Sequence, residues 1–215
     1  MRKHFDEQLK DLKEQLLKMG AIVEEEIEIA IKALMTQDSD LVDKVFELEG
    51  KTDELEIIIE DKCLDLLALQ QPIAKDLRMV STILKIITDL ERIGDHGVNI
   101  AKVTKKIGNE KFIKPLVDIP KMADIAKKMI KESLDSFINE DAETAKNITK
   151  MDDEVDELYE RVYLELLEIL SNNKETMPQI INLLLIGRYI ERIADHTTNI
   201  CEGIVYMTTG HRLEF

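Results

Sequence analysis

The chain has 215 residues, 44% of them hydrophobic and 34% charged, with a formal net charge of −15 at pH 7. That balance is too apolar for a disordered polymer and too polar for a membrane-spanning chain, and the acidity excludes nucleic acid as a partner. Only 4% of residues are aromatic, Trp is absent, and eight Gly and four Pro leave long uninterrupted stretches, which favours helices packed by aliphatic side chains and Met. The opening "MRKHFDEQLKDLKEQ" lacks the apolar region of a secretory signal, and the apolar run "IINLLLIG" is far short of a membrane span. Cys63 and Cys201 carry no metal or redox spacing and read as reduced core thiols. The expected location is the cytoplasm, without direct membrane insertion.

Apolar residues recur at helical spacing along nearly the whole chain. A first helix carries Leu16, Met19, Val23, Ile27, Ala30, Ile31 and Leu34 on one face. The sequence "DSD" at Asp38 to Asp40 supplies capping oxygens for a second helix that buries Leu41, Val45, Leu48, Thr52, Leu55, Ile59, Cys63 and Leu66. "LQQP" ends it at Pro72. A third helix uses Val80, Ile83, Ile87, Leu90, Gly94, Gly97 and Ala101 and stops near Gly108. "KFIKPLVDIP" then reads as a joint. A fourth helix follows with Met122, Ala126, Ile130, Leu134 and Phe137, and a fifth runs from "NEDAETA" to "SNNKETMP". Pro178 precedes the sixth. Period-two alternation, the mark of strands, is absent.

The chain writes one motif twice: "ERIGDHGVNIA" from Glu91 and "ERIADHTTNIC" from Glu191. Positions 38–67 also align with 141–170 at an offset of 103, whereas the sixth helix aligns with the third at an offset of 100. The difference falls in the second hairpin turn. The predicted fold is therefore all-α, two tandem three-helix bundles covering residues 1–108 and 109–215.

Glu91 and Asp95, like Glu191 and Asp195, are four apart and share a helix face. Glu49 and Asp53 form a similar pair on the preceding helix, matched in the second half by Asp152 and Asp156. In an antiparallel hairpin turning at Pro72, Asp53 and Glu91 are equidistant from the turn, as are Glu49 and Asp95. Each residue also follows a core position, so both pairs fall on the same side of the seam. Four carboxylates should converge in each bundle. They would repel unless protonated or neutralised by a cation, and all-oxygen ligands suit hard ions such as magnesium, calcium, manganese or iron, with zinc also possible.

Other candidates are less telling. His96 and His196 lie about 100° round the helix from the carboxylate face and read as partly exposed histidines, while Arg92 and Arg192 are expected to pair with neighbouring acids. Asn99 and Asn199 extend the Asp face by one turn, as ligands, as orienting groups or as plain surface. Gly94 and Gly97 become Ala194 and Thr197 in the second half, consistent with close helix approach beside the acids. No nucleotide loop and no nucleophile–base constellation is legible, so catalysis is not expected.

These features together resemble the PhoU family of phosphate-signalling proteins: a two-fold repeat of three helices, "ERIGDH" and "ERIADH" on each third helix, and "CLDLLALQQPIAKDLRMV" around the first hairpin turn. The resemblance implies paired E(D)-x-x-x-D motifs that hold metal clusters. These match Glu49/Asp53 with Glu91/Asp95, and Asp152/Asp156 with Glu191/Asp195, the shorter Asp152 being the one departure. It further implies a cytoplasmic negative regulator of phosphate uptake that links the phosphate ABC transporter and its ATPase to a sensor histidine kinase, and that forms a homodimer. The competing classes are a carboxylate-bridged metal enzyme and a purely structural helical interaction protein.

Overall fold

The computed structural model describes residues 2–212, and among them it contains six long helices and no strand. Helix α1 spans Arg2–Thr36 and buries Leu16, Met19, Val23, Ile27, Ala30 and Leu34 completely. Helix α2 (Ser39–Gln70) starts where Asp38 accepts a hydrogen bond from the Asp40 amide at 2.9 Å. Helix α3 (Ala74–Ile107) ends at Gly108, whose φ of 59° is left-handed. Helix α4 covers Asp118–Asn139 and α5 covers Ala142–Asn172, the latter capped by Asp141, the repeat counterpart of Asp38. A short 3-10 turn, Lys174–Thr176, leads into α6 (Met177–Thr209), with Pro178 in the first turn where its missing N–H is harmless. None of these helices is long and apolar enough to cross a membrane.

Helices α1, α2 and α3 pack on one another, as do α4, α5 and α6, and the two bundles meet along α3–α6 and α1–α4. One cluster of buried aliphatic residues runs through both bundles. Cys63 and Cys201 are free thiols within it, pushed up to about 12 by burial, and so are inert. Two expected core positions are only partly buried, Ile31 and Leu41, because each lies at the edge of its helix's apolar stripe.

The α3–α6 contact fixes the relation between the repeats. Arg78 donates from Nε to the Met207 carbonyl at 3.2 Å near one end, and Asp89 meets His196 at 2.9 Å nearer the middle. Residue numbers rise along α3 as they fall along α6, so the helices are antiparallel, and the two copies of the motif cross beside one another near an approximate two-fold axis. The joint is held in place by Gln179, which accepts from the Ile113 amide at 2.6 Å and donates to the Lys111 carbonyl at 3.2 Å. An irregular segment's backbone groups thereby find partners.

Candidate functional site

Each hairpin brings its four predicted carboxylates into one field. In the first, burial and then Asp53 and Asp95 raise Glu49, while burial and then Asp95 raise Glu91 against the opposing Arg92. In the second, burial followed by Asp156 and Asp195 pushes Asp152 up to about 7, and burial followed by Glu191 and Asp195 raises Asp156. Exposure follows the same pattern twice: Asp53 and Asp156 face solvent, and the other six are half-buried.

Arginines of the same helices meet these acids. Arg92 donates to Asp95 at 3.0 Å with its Nε 3.3 Å from Glu91, Arg192 donates to Asp195 at 3.1 Å, and Arg188 pairs with Glu191. The pairing expected for Arg92 and Arg192 is therefore present. With the side chains so disposed, no three His, Cys, Asp or Glu among the described residues are placed to hold one ion.

A further acid belongs to the first cluster and was not anticipated. Glu26 of α1 is fully buried, and neither carboxylate oxygen has a hydrogen-bond partner. Burial, reinforced by Glu49, Asp53 and Asp95, pushes it up to about 9. Its signal lay in α1: Glu26 falls between Val23 and Ala30, three before it and four after, so it is an acid written into the apolar stripe. Gly94 and Gly97 make room for it. A Cβ on Gly94 would stand 3.2 Å from Glu26 Oε2, and one on Gly97 would stand 3.1 Å from Oε1 and 2.9 Å from Ile27 Cδ1. The close approach expected at these glycines is thus made by α1. Glu56 joins the same field, raised by burial and then by Glu60 and Asp53.

The donor chemistry suits a hard cation. Both oxygens of Glu26 and Oδ1 of Asp152 are buried without partners, and an all-carboxylate set offers the charge and oxygen ligands such ions require.

The histidines face the other way, into the α3–α6 crossing. His96 stacks on Tyr189 at 5.8 Å between ring centroids and lies 5.7 Å from His196, and burial followed by His196 pushes it down to about 4. His196 contacts Asp89 at 2.9 Å, and Asn199 donates to the same oxygen at 3.4 Å. Asn199 is thereby turned away from the carboxylates.

A protein-family model described as the PhoU domain matches the chain twice, over residues 16–104 and 119–204. A Phosphate-specific transport system accessory protein PhoU homolog of Clostridium acetobutylicum is 40% identical over 214 residues, covering 99% of this chain and 98% of that protein. The Phosphate-specific transport system accessory protein PhoU of Escherichia coli is 34% identical over 206 residues, covering 96% of this chain and 86% of that protein. The crystal structure of PhoU from Pseudomonas aeruginosa superposes with a TM-score of 0.92 at 32% identity, covering 96% of this chain and 100% of that one.

Proposed function

The chain belongs to the PhoU family, and from that premise we propose that it is a regulatory accessory protein of phosphate transport. In this reading it acts in the cytoplasm as a negative regulator of phosphate uptake, linking the ATPase of the phosphate ABC transporter to a sensor histidine kinase, and it works as a homodimer. The observation that carries the reading is the match of both repeats, over nearly the whole chain, to proteins named as accessories of the phosphate-specific transport system. Its role is regulatory rather than catalytic; the relatives carry accessory and regulatory names.

Metal binding forms the second part of the proposal. Glu49, Asp53, Glu91 and Asp95 hold a hard cation in the first bundle, and Asp152, Asp156, Glu191 and Asp195 hold one in the second. Iron, magnesium, manganese and zinc all fit such ligands. The cation supplies the positive charge that lets neighbouring carboxylates stay ionised. Ligation asks Arg92, Arg188 and Arg192 to release their acids, and the three arginines are themselves half-exposed.

Deleting the protein from its host tests the regulatory part. Phosphate-uptake genes should then be expressed in phosphate-rich medium, and normal repression in the deletion strain would sink the assignment. Co-purification should recover a transporter ATPase or a sensor kinase, and sedimentation at micromolar concentration should show a dimer.

A further inference from the structure

We infer that the two carboxylate sites are chemically unequal, Glu26 of α1 adding an inward carboxylate to the first site alone and making it the tighter site for a hard cation. The inference rests on the cation reading above and goes beyond it, since the repeated motif by itself makes the sites equivalent.

Glu26 is 0% exposed, and both of its oxygens are orphaned. A buried acid retained for structure alone would be expected to meet a hydroxyl, an amide or a base, because an unsatisfied carboxyl in a core is strongly destabilising. Here its near neighbours across the seam are Gly94 and Gly97 and the acids of the cluster. The offset of 103 that relates Asp38 to Asp141 places Met129 opposite Glu26, and Met129 is fully buried. In the same repeat Gly94 and Gly97 are replaced by Ala194 and Thr197. Three differences between the repeats thus form one unit, an acid and the space it occupies, present together or absent together.

Two further differences run in the same direction and two oppose them: Asp153, in the field of Asp152 and Asp156, stands where the first repeat has Gly50, and Lys102, in the field of Glu49, stands where the second repeat has Glu202. Glu56 of the first site corresponds to Tyr159 in the second, and Thr88 of the first corresponds to Arg188, which pairs with Glu191. With Glu26 counted, the first site still has more carboxylate than the second and one fewer arginine. Affinity for a hard cation rises with the charge of its ligands.

The test is titration of the chelated full-length protein with Mn2+, following the free ion by electron paramagnetic resonance. The parent should show two classes of site. Glu26→Gln, and Glu26→Met, which installs the second repeat's residue, should each weaken the tighter class by about ten-fold or more and leave the weaker class unchanged. Asp156→Asn with Asp195→Asn should remove the weaker class only. Thermal melts of both Glu26 variants without metal should be cooperative and no lower than the parent's, and either variant that melts so decides the matter. If the parent binds Mn2+ at two equal sites, or keeps its tighter class in the folded Glu26 variants, this inference fails and the cation reading stands. If the parent binds no Mn2+ at all, both fail.

Discussion

The buried acid of α1 makes a direct claim about stability and pH. In the metal-free protein Glu26 is raised from 4.5 to about 9 by burial and by Glu49, Asp53 and Asp95, while in the unfolded chain it returns to its ordinary value. Between those two values the unfolded chain releases a proton that the folded protein keeps. Stability must therefore fall as pH rises through that window, by up to about 1.4 kcal/mol per pH unit for this one group. From its ordinary value to about pH 7.5 the loss accumulates to about 4 kcal/mol, a large share of the 5–15 kcal/mol that holds a typical domain folded. Glu26→Gln keeps the shape and removes the titration. Urea unfolding in excess chelator, at intervals from about pH 5 to about pH 8.5, should show parent and variant converging at the acid end and diverging steadily above it, with the variant the more stable. Glu49, Glu56, Glu91, Asp152 and Asp156 are raised as well and tilt both lines; the difference between the lines isolates Glu26. Parallel lines over the whole range would show that Glu26 ionises normally in the fold and would refute the reasoning.

Asp53→Asn with Asp95→Asn should lower metal content at the first site and leave the helices intact, because Asn keeps one carbonyl oxygen but not the charge; elemental analysis and circular dichroism check both halves of that statement. Phe137→Ala, at a fully buried position of α4, should cost about 3–5 kcal/mol in denaturant unfolding, and a loss under about 1 kcal/mol would contradict the packing described. Gln71 caps α2 with a left-handed φ of 46°, so Gln71→Gly should raise stability by roughly 1 kcal/mol; an unchanged unfolding midpoint would count against strain at that turn.

Much of this protein was decided locally, and local features are what a sequence displays. Asp38 and Asp141 cap α2 and α5 because a short oxygen-bearing side chain can reach the first free amides, and Gly108 ends α3 because it tolerates a left-handed backbone. The helical period located most of the core, and the repeated motif with its equal arms brought eight carboxylates into two groups. These relations are set within a helix or across a single hairpin, so counting residues suffices. Ile31 and Leu41 were misplaced because burial at the edge of a stripe depends on what the neighbouring helix covers.

The role of Glu26 could not be reached by counting. Its position in the apolar stripe was readable, but the partners of that stripe belong to α3, more than sixty residues away at Gly94 and Gly97. Which face of α1 lies over which turn of α3 is set by how three helices close on one another, a long-range packing choice that no spacing encodes. The same holds for His96, which turns from the acids toward Tyr189 and His196 only because α6 crosses α3 antiparallel at that level. Local hydrogen bonding and periodicity determined the helices and paired their acids; the docking of α1 and α6 onto α3 decided which polar groups lost their water, and with it the asymmetry of the two sites.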